Sequence, residues 1–359
     1  MKKNLFIIGL GLIGGSLGLA LRESPLVNKI FGFDIDIKTV ETALQIGVID
    51  EFKSIDEGGK NADVIFLCTP ISFFPLIINE LRNVVRQGTI ITDVGSTKEE
   101  VMQFFSNLPQ GVWAIGGHPM AGSEIKGING IDRYLFENAV YVLTPAPDVP
   151  EEQVNLLGEL LSFTGAKIKT MPASLHDELV ATISHVPHLA AAALVNLTEG
   201  RDDNLMMAAG GFRDTTRIAS SSPELWQDIL FSNRKYVGQK LDKLIKFLFK
   251  IKKALEEDDS ETVYTELCRA KEIRDQIPHK RKGLLPEFSE LVCIVPDKPG
   301  IIGKIGEILG KENINIVDIE ILRVREGDGG SIRIGVRNRE EAERAVSILQ
   351  SCNIKSWVR

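Results

Sequence analysis

Cysteine is scarce in this chain: four in 359 residues, at Cys68, Cys268, Cys293 and Cys352, with no C-x-x-C pair. That spacing supports neither a disulfide framework nor a cysteine-rich zinc site, and it fits a reducing, cytoplasmic setting. A basic excess is missing too. Forty-two Lys+Arg against 49 Asp+Glu leave a net charge of −7. A nucleic-acid binder would carry the opposite balance, so no nucleic-acid partner is expected. Beyond the N-terminus no stretch approaches about 18 uninterrupted apolar residues, so no membrane span is expected. Composition is ordinary for a globular protein: 43% hydrophobic, 25% charged, 32 Gly and 15 Pro. Disorder and low complexity are thereby excluded. At roughly 150 residues per domain, the length implies two or three domains.

Lys2-Lys3 and the apolar run Leu5 to Leu21 imitate a secretory signal. The run, however, holds Gly9, Gly11, Gly14, Gly15 and Gly18, and no A-x-A-like cleavage site follows it. It divides more naturally into a strand, a glycine turn and a helix.

Three patterns succeed one another along the chain. Residues 1–172 alternate strand-like and helix-like segments, predicting a mostly parallel sheet wrapped by helices. Strand-like runs are Asn4–Gly9, Lys29–Asp34, Asp63–Thr69, Gly88–Asp93, Val112–Gly116, Ala139–Leu143 and Lys167–Met171. Strand signals vanish over residues 173–285. Ser174–Gly200 reads as helix with a kink or break at Pro187. Tyr236–Glu257 carries apolar residues at helical spacing, widened by Phe247 and Phe249, so this helix is expected to be buried on more than one side. The surplus apolar surface suggests a homodimer. Its lysines, Lys240 to Lys253, read as a solvated face offset by Glu256, Glu257, Asp258 and Asp259. Residues 288–359 follow the order β-α-β-β-α-β, a small α+β ferredoxin-like module with a turn at Asp328-Gly329-Gly330.

The first turn carries the sharpest motif. Gly9-Leu10-Gly11-Leu12-Ile13-Gly14 is a G-x-G-x-x-G fingerprint after a strand and opening a helix, with Asp34 ending the second strand. Such a Rossmann turn holds a dinucleotide: the glycines allow close backbone approach, and the helix N-terminus, with Leu12 and Ile13, receives the pyrophosphate. Asp34 would accept from ribose hydroxyls and repel a 2′-phosphate, so NAD is expected over NADP. Thr69 and Pro70, ending a later strand, are candidate contacts on the nicotinamide side of the crevice.

Two further strand ends carry candidate chemistry. Ser96 follows Asp93-Val94-Gly95, and His118 stands in Gly117-His118-Pro119 as the sole histidine of the first domain. A neutral His118 could take a proton from a substrate hydroxyl while hydride leaves the carbon that bears it, with Ser96 orienting that hydroxyl. In the helical part, His185 and His188 are three apart and could share a face toward a metal. No third ligand stands at a suitable spacing, so no metal is expected. Arg213 and Arg217, behind Gly210-Gly211, suggest a carboxylate clamp.

These residues together resemble the prephenate dehydrogenase family. The resemblance is carried by Gly9–Gly14, Gly117-His118-Pro119-Met120-Ala121-Gly122, Ser184-His185-Val186-Pro187-His188 and Phe212-Arg213-Asp214-Thr215-Thr216-Arg217. The tail resembles an ACT regulatory module, through Pro296-Asp297-Lys298-Pro299-Gly300 and Ile314-Asn315-Ile316. The resemblance implies oxidative decarboxylation of prephenate by NAD, giving 4-hydroxyphenylpyruvate, CO2 and NADH. It implies that His118 and Ser96 act at the C4 hydroxyl, that Arg217 binds a substrate carboxylate supported by Arg213, and that His188 and Ser184 line the pocket. Ser123 and Glu124 match a hydroxyl–acid pair near the pocket mouth, and Trp226 is either a pocket wall or plain core. Asp297 and Asn315 match positions that hold amino-acid effectors, and Gly300 lets such a ligand approach the backbone at a helix start, with tyrosine as the expected ligand. It also implies dimerisation through the helical domain. The readings set against this are an arogenate-using cyclohexadienyl dehydrogenase, a β-hydroxyacid dehydrogenase, and a dinucleotide and amino-acid sensor without catalysis.

Overall fold

The computed structural model describes residues 2–122, 127–277, 289–296, 298–322 and 330–358. Ser123, Glu124, Asp297, the Asp328-Gly329 turn and the expected boundary at 285–288 lie outside the described residues. The chain divides into two compact units, Met1–Lys282 and Gly283–Arg359.

The first unit is built on an eight-stranded sheet. Its strands are β1 (Lys3–Ile8), β2 (Val27–Phe33), β3 (Glu51–Phe52), β4 (Val64–Leu67), β5 (Ile90–Asp93), β6 (Trp113–Pro119), β7 (Val140–Pro145) and β8 (Lys167–Thr170). Their order is β3-β2-β1-β4-β5-β6-β7-β8. The first six are parallel, and β7 runs antiparallel to β6. That is the doubly wound Rossmann order, and it opens a crevice where the order reverses beside β1. Strand β1 from Leu5 onward, and β4 throughout, are apolar because helices cover both faces. Leu5, Ile7, Val64 and Phe66 enter one core, and Phe6, Ile8, Ile65 and Leu67 the other. The carboxyl ends of β1, β4, β5 and β6 share one edge, so Gly9, Thr69, Ser96 and His118 all belong to it.

All-helical structure follows. One continuous helix spans Ala173–Asn196, long and apolar enough to cross a membrane by length and composition. A third of its apolar window is buried, and His176, Asp177, Val180, Ala181, His185 and His188 are among the buried residues of the helix. The interruption expected at Pro187 lies one turn earlier: Ala181–His185 is a π-helical turn. Pro187 has no N–H to give to the carbonyl one turn back, and a widened turn accommodates the break. Helices Asp202–Met207, Gly210–Thr216, Pro223–Ser232, Arg234–Glu256 and Ser260–Asp275 complete this part.

The helix Arg234–Glu256 departs from expectation. Within one chain only Tyr236, Val237 and Ala254 are buried on it, while Phe249 is 66% and Leu255 65% exposed. Its apolar arc packs at the start of the helix, through Val237, Leu241 and Leu244, and is open beyond, at Ile245, Leu248 and Leu255. Of its lysines, Lys240 pairs with Glu178 at 2.7 Å and Lys250 with Glu266 at 2.5 Å on neighbouring elements, while Lys252 and Lys253 pair with Glu256 at 3.4 Å and Glu257 at 3.7 Å, the acids expected to offset them.

The second unit has strands β9 (Ser289–Val295), β10 (Asp318–Leu322), β11 (Gly330–Val336) and β12 (Lys355–Val358), ordered β10-β11-β9-β12 and antiparallel. Helices Ile301–Lys311 and Arg339–Ser351 cover one face over Leu291, Cys293, Ile332 and Ile334. This is the ferredoxin-like arrangement expected from the β-α-β-β-α-β pattern.

Candidate active site

The dinucleotide turn is built by close packing. Gly9 has φ +98°, and a Cβ there would lie 2.7 Å from the backbone of Cys68. A Cβ on Gly14 would stand 2.0 Å from the Gly9 carbonyl oxygen. Gly11, in contrast, faces open space, and no side chain caps the helix Leu12–Leu21 that follows it. Unpaired N–H groups at an uncapped helix start, next to a glycine open to approach, suit a pyrophosphate. Leu12 and Ile13 form the first helical turn, both half-buried. Asp34 is fixed by accepting from Leu10 N at 2.8 Å and Asp36 N at 3.0 Å, which orients its carboxylate beside the turn. Thr69 is half-buried and Pro70 exposed where β4 leaves the sheet.

His118 is half-buried at the end of β6. Its Nδ1 lies 2.8 Å from Nε2 of His176, on the long helix. His176 Nδ1 lies 2.7 Å from Asp177 Oδ1. The Asp177 carboxylate also accepts from Lys98 N at 2.7 Å and Glu99 N at 2.8 Å. Those two N–H groups begin the helix Glu99–Phe105, whose first turn would otherwise leave them unpaired. One buried carboxylate thus ties the loop after β5 to the helix that carries His176. The low-dielectric surroundings, then His176, Lys98 and His185, hold the His118 pKa well below its ordinary value. His118 is therefore a neutral imidazole at neutral pH, the form a general base requires.

Beneath His118, Asp93 pairs with Lys98, both fully buried. Asp93 also accepts from Gly117 N at 2.9 Å and Gly95 N at 2.7 Å. Gly116 and Gly117 admit no side chain, because a Cβ would strike Thr144 Oγ1 at 2.3 Å and the Asp93 carbonyl at 2.4 Å. Ser96 is half-buried in the same loop, and its neighbour Thr97 donates to Ser232 Oγ at 2.9 Å, stapling the loop to the helical part.

On the helical side, His188 stacks on Trp226 with ring centroids 3.6 Å apart and planes 8° from parallel. His185 stands edge-on to the same ring at 6.0 Å. Asn233 Nδ2 lies 3.1 Å from His185 Nδ1 and donates to the Asp177 carbonyl at 2.8 Å. Burial pushes the His185 pKa down to about 4 and lowers that of His188. Ser184 is half-buried inside the π-helical turn. Arg213 and Arg217 are exposed, four residues apart across the end of the helix Gly210–Thr216 and the following 3-10 turn. That spacing sets them on one face.

Comparison with known proteins follows the same division. The model described as prephenate dehydrogenase, nucleotide-binding domain, matches residues 17–170, the corresponding dimerization domain residues 172–269, and the ACT domain residues 289–352. The prephenate dehydrogenase of Bacillus subtilis is 38% identical over 98% of this chain and 96% of its own length. The chain belongs to the prephenate dehydrogenase family. A second relative, the prephenate dehydrogenase of Lactococcus lactis, is 34% identical over 97% of this chain and 98% of its own length. The solved prephenate dehydrogenase of Aquifex aeolicus, in complex with hydroxyphenyl propionate and NAD+, superposes with a TM-score of 0.71. It is 31% identical and covers 77% of this chain and 98% of its own.

Within this prephenate dehydrogenase fold, sequence reasoning did not single out His176, Asp177, Lys98 and Asn233. Their signal was weak. His176-Asp177 is an adjacent pair with no spacing motif, and its link to His118 spans 58 residues. Lys98 and Asn233 had only their polarity to mark them.

Proposed function

We propose that the chain oxidatively decarboxylates prephenate to 4-hydroxyphenylpyruvate and CO2, reducing NAD to NADH, as a step of tyrosine biosynthesis. The observation that carries this reading is a neutral imidazole at a strand end of the Rossmann edge that also bears the glycine turn. The glycine turn and the uncapped helix start would hold the pyrophosphate, and Asp34 the adenosine ribose. NAD supplies the hydride acceptor when bound.

His118 takes the proton of the C4 hydroxyl as hydride leaves C4. Loss of CO2 from C1 then restores the aromatic ring, and the proton returns to the phenolate oxygen. Aromatisation supplies the driving force, so the step needs a base and positioning rather than a Lewis acid. Ser96 orients the hydroxyl, Arg217 holds a substrate carboxylate with Arg213 behind it, and Ser184 and the His188–Trp226 stack wall the pocket. Thr69 and Pro70 flank the nicotinamide side.

The units divide this work: residues 1–172 bind NAD, 173–285 complete the substrate site and dimerise, and 288–359 regulate. The open apolar face of Arg234–Glu256 supports a homodimer, since monomeric proteins rarely leave such a surface to water. For the ACT unit we assign tyrosine as feedback ligand. Gly300 is left-handed at φ +85° ahead of the helix Ile301–Lys311, with open space where a Cβ would stand, and the exposed Asn315 follows that helix. Free cysteines at Cys68, Cys268, Cys293 and Cys352 suit a cytoplasmic enzyme.

The test is direct. Purified protein with NAD and prephenate should produce NADH absorbance, and tyrosine should inhibit it without competing with prephenate. No turnover with prephenate or arogenate, while NAD and tyrosine still bind, would leave a sensor in place of an enzyme.

A further inference from the structure

Asp177 accepts the backbone N–H groups of Lys98 and Glu99, and its Oδ1 also lies 2.7 Å from Nδ1 of the His176 ring. An ionised carboxylate can only accept. His176 Nδ1 must therefore carry a proton. With a single proton on the His176 ring, its Nε2 is bare and can only accept, and the 2.8 Å contact is then one that His118 Nδ1 donates. The basic nitrogen of His118 is thereby Nε2.

We propose that His176 and Asp177 are positioning residues that lock His118 in the Nδ1–H tautomer and so leave Nε2 free to take the substrate proton. This rests on the proton-transfer role given to His118 above. No proton needs to reach Asp177. When Nε2 takes the substrate proton, the charged ring keeps its Nδ1–H bond to His176, and His176 keeps its bond to the carboxylate. The arrangement shares its logic with acid–imidazole pairs that set the tautomer of a catalytic histidine, with one additional imidazole between acid and base.

The placement adds a consequence. His118 stands on β6, whereas His176 and Asp177 stand on the helix that begins the all-helical part. The same carboxylate holds the start of the helix Glu99–Phe105. The base is therefore correctly protonated only when the helical part is seated on the sheet edge. Among the described residues, Lys98, His185, His188 and the Asp93 carboxylate are charged or titratable groups around this chain of rings.

The experiment uses the full-length protein, wild type, His176→Ala and His176→Gln. Glutamine can place an accepting oxygen near the site of Nε2, and it fills most of the volume. In His176→Ala, kcat should fall at least about tenfold while KM for NAD and prephenate stays within threefold. His176→Gln should recover much of the loss. Nitrogen-15 spectra of histidine-labelled protein should show wild-type His118 protonated on Nδ1, with the population moving toward Nε2–H in His176→Ala. Should His176→Ala fail to fold, as judged by melting and NADH binding, His176→Gln must keep the His118 Nδ1–H signature, and its loss there overturns the proposal. A wild-type His118 protonated on Nε2, or a folded His176→Ala with unchanged kcat, overturns it as well. If wild type turns over neither prephenate nor arogenate, the proposed reaction fails, and the tautomer spectra still judge the relay.

Discussion

Lys98 Nζ is paired with Asp93 Oδ2 at 0% exposure of both side chains. The pair sits at the end of β5 and braces the next strand, since Asp93 also holds the N–H of Gly117, one residue before His118. Burial drives the two groups in opposite senses, raising the Asp93 pKa and lowering that of Lys98, and each holds the other charged against it. Such a pair is weak evidence of stability in itself, but it is costly to break by halves.

Lys98→Met should therefore destabilise the protein by about 3–5 kcal/mol, because it leaves a buried carboxylate uncompensated. The urea midpoint, at one fixed protein concentration, reads this. Lys98→Met/Asp93→Asn should recover part of the loss. A single variant as stable as wild type would show that water reaches Asp93 when Lys98 is gone.

His118→Asn should cut kcat by roughly 10²–10⁴ while NAD binding, read by fluorescence quenching, stays near wild type. The pH profile supplies a second check. Protonation abolishes the base, and the surroundings hold the His118 pKa well below 6.5. The acid limb of kcat/KM should accordingly fall below pH 6.5, with activity level from 8 through 6.5. A limb centred at or above 6.5 would contradict a buried neutral base.

Much of this was legible beforehand, and the gaps have physical causes. The glycine turn, Asp34, and the strand ends at Thr69, Ser96 and His118 follow from local pattern, because parallel strands flanked by helices must present their carboxyl ends together. The ACT-like unit was readable from its β-α-β-β-α-β order. Pro187 signalled a break but not its form, since the π-helical turn lies over Ala181–His185. Helix Arg234–Glu256 was read as buried because periodicity reports an apolar arc and not what covers it. His176 and Asp177 escaped notice because their partners, His118, Lys98 and Glu99, are brought in only by tertiary packing.

Acid should loosen the fold before the carboxylates titrate. His185 has a pKa of about 4 in the folded chain, chiefly from burial, against 6.5 when unperturbed. Between those values the unfolded chain binds a proton that the folded chain refuses. Stability is then fully present above pH 6.5 and declines as pH falls toward 4. The lowered pKa values of His118 and His188 add in the same direction. The urea midpoint should drop between pH 7.5 and 5.5. A midpoint that holds or rises over that range would mean these rings are hydrated in the folded state.

Cofactor choice should turn on Asp34. Its carboxylate is held beside the glycine turn by Leu10 N and Asp36 N, so a 2′-phosphate would meet a fixed negative charge. Wild type should favour NAD over NADP in kcat/KM. Asp34→Asn keeps an acceptor and removes the charge, so it should narrow that ratio mainly by improving use of NADP. Equal use of both cofactors by wild type would remove Asp34 from this role.

Variants of Arg217 and Arg213 should separate a direct contact from a supporting charge. Both are exposed within one chain, and they share a face across the end of one helix. If Arg217 grips a substrate carboxylate, Arg217→Ala should raise KM for prephenate at least about tenfold, equivalent to about 1.4 kcal/mol. A guanidinium meets a carboxylate through two parallel N–H donors, which an ammonium cannot reproduce, so Arg217→Lys should restore only part of the affinity. Arg213→Ala should do less, and its effect should shrink as salt is added, because a charge acting at a distance is screened. Equal, salt-sensitive losses in both variants would make the two arginines a general field for an anionic substrate and leave the carboxylate contact to another residue.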